Sequence, residues 1–325
     1  MTTDEKLAAI LAAVQTDPGN RGLARDPHDN LFTATKGDFE AACGSIANYR
    51  DMYAPTDWQD PPRVAVLTGF WICNAEVPAY ETDGPLGAVF LASAFNELEH
   101  CQPLRIFAEE VCLRSITAGF VAAGVESAGL NSPLCPIEKW RVDVSACNNE
   151  YPWFSHLIAL ERPGPGADGK SRTMRGEPVA HQTSYSSGAR LPFLSPRREA
   201  LAQYTIGIGD GGNEIGMGKI PHETIVKNIP NGDLIHCRVP TDHLIVAGVS
   251  NWGAYALAAG IYVLRGVKPP PDLFDPDRER EILEVMVREG PLVDGVTGQQ
   301  TATVDGLTWD EYAKPLVRIR EILEQ

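Results

Sequence analysis

Residues 204–218 read YTIGIGDGGNEIGMG, an apolar run from Tyr204 to Ile208 that opens into Gly209-Asp210-Gly211-Gly212-Asn213-Glu214 and then Ile215-Gly216-Met217-Gly218. A short apolar run ended by a glycine turn fits a strand buried on both faces, as parallel sheets require. Gly207, Gly209 and Gly212 formally satisfy G-x-G-x-x-G, with Asp233 following at about twenty residues, so a dinucleotide fold has to be weighed. Asp210 and Glu214 would then sit inside the turn that receives a pyrophosphate, where like charges repel. Gly216 and Gly218 also weaken a following helix by about 1 kcal/mol each relative to Ala. The pattern is therefore read as accidental, and no nucleotide cofactor is expected. The same turn can instead present Asp210, Asn213 and Glu214 as oxygen ligands to a hard cation, Mg²⁺ or Mn²⁺.

Outward from this stretch the same rhythm recurs. Residues 64–68, 104–108, 156–160 and 244–249 are further short apolar runs, with helices expected from near Pro85 and across 111–123. Alternation of this kind implies β-α units: an α/β three-layer sandwich whose mainly parallel sheet, with mixed pairing allowed, is flanked by helices. Ligands of such sheets lie outside the carboxyl ends of the strands. The residues to read are then Thr68-Gly69-Phe70, Glu109-Glu110, Glu161-Arg162, Asp210 and Ser250-Asn251. The uncharged run 244–264 is long enough to span a bilayer, but Ser250-Asn251-Trp252-Gly253 in its middle reads better as strand, turn and helix. Residues 1–36 read as an N-terminal helix and a turn-rich connector, and 37–325 as the α/β domain. Residues 163–198 interrupt that domain as a long loop insertion holding Lys170, Arg172, Arg175, Arg190, Arg197 and Arg198. A basic loop in an acidic protein can act as a lid on an anionic substrate.

The chain has 325 residues, 28 basic and 43 acidic, for a formal charge of −15. Such a surface argues against binding nucleic acid or an anionic membrane. A hydrophobic fraction of 43% excludes wholesale disorder. Seven cysteines with no C-x-x-C pair argue against a disulfide framework or a thiolate zinc site, and the N-terminal segment lacks secretory or transit features. The expectation is a cytoplasmic protein that takes a small anionic substrate, with a homo-oligomer allowed.

A second acidic turn, Glu81-Thr82-Asp83-Gly84-Pro85, precedes a helix, where Asp83 also reads as an N-cap with Pro85 in the first turn. Glu161, directly after a strand, has no such structural reason. Asp294 and Asp305, each before Gly, read as turn residues. The histidines show no metal-ligand spacing, and Cys73 and Cys147 are candidate nucleophiles whose commoner fate is inert burial. Several carboxylates at one sheet edge need a divalent metal, or else one of them holds a proton and serves as an acid.

With these residues in view the chain resembles the family found as the C-terminal domain of D-glutamate cyclase. The matching stretches are Gly37-Asp-Phe-Glu-Ala-Ala42, Leu67-Thr-Gly-Phe70, Glu81-Thr-Asp-Gly-Pro-Leu-Gly-Ala88 and Glu161-Arg-Pro-Gly164, then Met174-Arg-Gly176, Gly209 to Gly218, Gly248 to Tyr255 and Val293 to Thr297. The resemblance implies an acidic pocket, a divalent cation and the cyclisation of D-glutamate to 5-oxo-D-proline with loss of water. It also leads us to expect that a further N-terminal domain of the cyclase has no counterpart in these 325 residues. In that chemistry Glu81, Asp83, Asp210 and Glu214 would hold the metal, and Glu161 would act as base beside Asp210 and Glu214. Thr68, Arg162, Arg175, Asn213, Ser250 and Asn251 would bind the substrate. The same ligands would serve a metal-dependent phosphohydrolase, and a metabolite-binding module without turnover is a further alternative.

Overall fold

The computed structural model describes residues 1–49, 61–98, 104–125, 137–139, 154–179 and 204–325. Arg190, Arg197, Arg198 and Cys147 lie outside the described residues, as does most of the expected lid. The strands are β1 (Val64–Thr68), β2 (Trp71–Ile72), β3 (Ala79–Tyr80), β4 (Arg105–Ala108), β5 (Ile137–Lys139), β6 (His156–Leu160), β7 (Tyr204–Gly209) and β8 (His243–Val246). The helices are α1 (Thr3–Val14), α2 (Leu31–Ala34), α3 (Asp38–Ala47), α4 (Pro85–Asn96), α5 (Glu110–Ala123) and α6 (His222–Asn228). They continue with α7 (Gly232–Ile235), α8 (Ser250–Arg265), α9 (Pro276–Glu289), α10 (Trp309–Tyr312) and α11 (Lys314–Leu323).

Every residue of β1 and β6 is buried, which is why both read as unbroken apolar runs rather than alternating ones. Six strands pair in the order β5-β4-β1-β6-β7-β8, each neighbour parallel. Alternate residues feed two cores. Val64, Val66, Ile106, Ile158, Ile206 and Ile208 face a thick helical layer, while Ala65, Leu67, Phe107, Leu157, Leu244 and Val246 face a thinner one. The thick layer holds α1, α3, α4, α5, α8, α9 and α11; the thin one is built from the connector and residues 211–239. The chain is thus an α/β sandwich with a parallel sheet between helical layers. The uncharged run 244–264, read as strand, turn and helix, is the strand β8 followed by α8, and no described helix is long and apolar enough to cross a membrane.

Strand order reverses beside β1, where the chain, having added β4 and β5 on one side, crosses to place β6 on the other. A crevice at the carboxyl end of a parallel sheet opens at such a reversal. The glycine-rich turn follows β7, not β1, whereas a dinucleotide fingerprint occupies the first β-α turn. Its glycines have another use. A Cβ on Gly207 would lie 2.7 Å from the Cα of Gly216, so strand and turn meet backbone to backbone.

Candidate active site

Two helix N-termini meet below the crevice and cap each other. Asp83 accepts from the backbone N–H of Ser250 (2.9 Å) and Asn251 (2.8 Å), the start of α8. Asn251 in turn accepts from the N–H of Gly84 and Gly87 at the start of α4, each at 2.8 Å. The expected cap at Asp83 therefore exists but serves the neighbouring helix; Gly84, at φ 91°, is the N-cap of α4 and makes no side-chain cap bond. A Cβ on Gly84 would sit 2.7 Å from Thr68 Oγ1 and 2.8 Å from Glu161 Cβ, so only glycine fits where three segments converge.

The chain leaves β6 through Glu161 at φ 44°, a conformation rare outside glycine. That twist sends consecutive side chains to opposite places. Glu161 enters the crevice, where Ser250 Oγ donates to its Oε2 at 2.6 Å. Arg162 goes beneath the sheet edge, forks onto Glu109 (Nη1 to Oε2 2.9 Å, with Nη2 on Oε1) and donates to the Thr68 and Gly69 carbonyls at 3.2 Å. After β7, Asp210 points into the crevice and Glu214 folds back to accept the N–H of Asp210 (3.1 Å) and Gly212 (2.8 Å).

Glu81, Glu161, Asp210, Glu214 and Asp305 line one cavity of about 140 Å³, with Asn213 and the exposed Arg175 on its wall. Asp83 stands close enough that Asp305 and Asp210 both repel its charge. The connector supplies a cation: Arg21 pairs with Asp210 through Nη1 and with Asp305 through Nη2 at 2.8 Å. Burial, helped by repulsion among the neighbours, pushes Glu81, Asp83 and Glu161 well above the usual carboxylate range. Burial also raises Asp210 to about 6 and Asp305 to about 7, against the opposing pull of Arg21. Protons are therefore held in this cavity near neutral pH.

The donor set fits a hard divalent cation. Carboxylate oxygens of Glu161, Asp210 and Glu214 lie within 4.8 Å of one another, and so do those of Asp83, Asp210 and Asp305. Asn213 adds a neutral oxygen. Its Nδ2 donates to the Arg172 carbonyl at 2.8 Å, which fixes the amide orientation, and its buried Oδ1 has no hydrogen-bond partner among the described residues. A Cβ on Gly211 would stand 2.7 Å from that Oδ1 and 3.0 Å from Glu214 Oε1, so the glycine leaves the two oxygens their shared space.

Residues 10–320 match the family described as D-glutamate cyclase-like, C-terminal. The chain belongs to this D-glutamate cyclase-like family. It is similar to the human protein named D-glutamate cyclase, mitochondrial, at 30% identity over 277 residues, which covers 81% of this chain and 40% of that protein. The chain thus spans about two-fifths of the length of that relative.

Within this D-glutamate cyclase-like domain, Glu81, Asp83, Glu161, Asp210, Glu214 and Asn213 lie together around the cavity. Ser250 touches the site through Glu161, and Asn251 through the caps. Arg175 stands on the rim with Nη2 donating to the Val296 carbonyl at 3.4 Å. Thr68 is fully buried beside Gly84 and does not line the cavity. Arg162 likewise does not line it, its guanidinium being committed to Glu109. Of the two Val-Asp-Gly turns, Asp294 organises its own by accepting the N–H of Val296 and Thr297, and ties it to the other by accepting the N–H of Gly306. Asp305, at φ 56°, turns into the site instead. Arg21 and the site role of Asp305 escaped the sequence reading. The one available signal was an arginine set among the turn residues Asp17-Pro18-Gly19-Asn20 and Gly22.

Proposed function

We propose that this domain is a lyase of the D-glutamate cyclase type, closing D-glutamate to 5-oxo-D-proline and water in the acidic cavity. Ring closure joins the α-nitrogen to the γ-carbon and breaks one γ-carbon–oxygen bond. The ammonium gives up two protons, and the departing oxygen takes two to leave as water, so no charge is gained or lost overall. A site for this reaction must accept protons from nitrogen and return them to oxygen. The observation that carries the reading is the convergence of Glu81, Glu161, Asp210, Glu214 and Asp305 on one cavity, where burial raises Asp210 to about 6 and Asp305 to about 7 and pushes Glu161 upward.

Glu161, Asp210 and Glu214, with the Asn213 carbonyl oxygen, would hold a divalent cation, which supplies Lewis-acid polarisation of a carboxylate. Glu161 was expected to be the base, but its oxygen belongs to this three-carboxylate group, while Glu81 lies outside both such groups. Glu81 is thus the better proton carrier. It is buried, lines the cavity and sits against Gly295, where a Cβ would approach its Oε2 to 1.9 Å. Arg175, on the rim, would take the α-carboxylate in a two-pronged grip.

The test is incubation of the purified chain with D-glutamate, with and without Mn²⁺, and chromatographic detection of 5-oxoproline. Product that depends on the cation and is lost in Glu81→Gln supports the reading. Absence of product under every metal condition rejects it.

A further inference from the structure

The cavity contains two overlapping groups of three carboxylates that share Asp210, and they are not equivalent. The group of Glu161, Asp210 and Glu214 has the unpartnered Asn213 Oδ1 beside it and no basic side chain pairing with Glu161 or Glu214 among the described residues. The group of Asp83, Asp210 and Asp305 already has a cation: the Arg21 guanidinium spans Asp210 and Asp305, one nitrogen on each. We propose that Arg21 stands in the place of a second metal ion and restricts this centre to a single divalent cation. The inference rests on the reading of the first group as a metal site.

Arg21 is held for this position rather than drifting into it. Asp17 gathers the backbone of the connector, its carboxylate accepting the N–H of Arg21 (2.8 Å), Gly22 (2.8 Å) and Leu23 (3.0 Å). Gly22, at φ 97°, lies so close to α6 that a Cβ would fall 2.2 Å from the Asn228 carbonyl oxygen. Asn228 also accepts the N–H of Asp26 at 2.7 Å and donates to the Asp29 carbonyl at 2.7 Å, which pins the connector from the other side. The guanidinium fork matches two separate carboxylates, where a compact ammonium reaches one at a time. A bridging carboxylate such as Asp210 can therefore serve an ion on one oxygen face and a fixed organic cation on the other. The consequence is a mononuclear centre built from ligands numerous enough for a pair of ions, which two-metal sites hold about 3.5–4 Å apart.

The experiment is calorimetric titration of chelator-treated full chain with Mn²⁺ alone, with metal content of the dialysed protein as a second readout. Wild type is expected to take up one equivalent. Arg21→Met is expected to take up two, and Arg21→Met combined with Asp305→Asn to return to one. Arg21→Lys, which keeps a charge near the site and guards against a folding defect in the neutral variant, is expected to stay at one. One equivalent in both wild type and folded Arg21→Met, or two in wild type, overturns the inference while leaving the metal reading intact. No Mn²⁺ binding by either protein overturns both.

Discussion

Replacing Arg162 by Met removes the partner of the Glu109 carboxylate, which has no second ion pair among the described residues. Both side chains of the Arg162–Glu109 pair are 2% exposed, and the same guanidinium also satisfies the carbonyls of Thr68 and Gly69. Breaking a buried pair from one side costs about 3–5 kcal/mol, because the remaining charge is left uncompensated. Unfolding entropy of roughly 2.1 cal/mol/K per residue gives about 0.7 kcal/mol/K for a chain of 325 residues, so Tm should fall by about 4–7 °C. The double variant Arg162→Met with Glu109→Leu should recover more than half of that loss, since apolar replacement of both partners is close to neutral. Differential scanning calorimetry of wild type, single and double variants measures this directly. An unchanged Tm in Arg162→Met, together with a large rise in KM for D-glutamate, would refute the argument and return Arg162 to the substrate.

Other outcomes follow from the site. In chelated protein the raised carboxyls of Asp210 and Asp305 bind more protons folded than unfolded, so their contribution stabilises at acid pH. It is lost as pH rises from about 4 through about 7, and Asp305→Asn should flatten that part of the Tm-against-pH curve. A steeper decline in the variant would contradict it. Asp83→Ala removes the cap of α8 and should lower stability by about 1–2 kcal/mol in urea unfolding, with no change in the m-value. Ser250→Ala, which removes the hydroxyl that donates to Glu161 Oε2, should weaken Mn²⁺ affinity in calorimetry about 10-fold while leaving the stoichiometry unchanged.

Much of the architecture was legible because buried parallel strands announce themselves as unbroken apolar runs. The runs 64–68 and 156–160 coincide with β1 and β6, and Ser250 does begin the helix that follows β8. Elements with weaker marks were missed. The strand β5 carries no apolar run, and α9 and α11, whose amphipathic spacing was there to be read, went unclaimed. In the site, carboxylates directly after strands were readable by position alone, since the carboxyl edge of a parallel sheet is where a crevice opens. Direction was not readable: Glu161 and Arg162 are neighbours in sequence, and only the left-handed backbone at Glu161 decides that one enters the cavity and the other leaves it. Nor was long-range pairing. Arg21 meets a residue 189 positions away because a connector with no regular structure is pinned by Asp17 and Asn228. Asp83 shows a third limit, as the residue chosen as a cap does cap a helix, but one whose start is 167 positions distant.

Asp210 is the residue on which the account converges, shared by both carboxylate groups and paired with Arg21. The decisive measurement is 5-oxoproline formation from D-glutamate in saturating Mn²⁺ by wild type and by Asp210→Asn, with calorimetry confirming that the variant is folded. The account predicts turnover in wild type and a loss of at least about 10³-fold in the variant, accompanied by weakened Mn²⁺ binding. Near-normal turnover by a folded Asp210→Asn protein would contradict it.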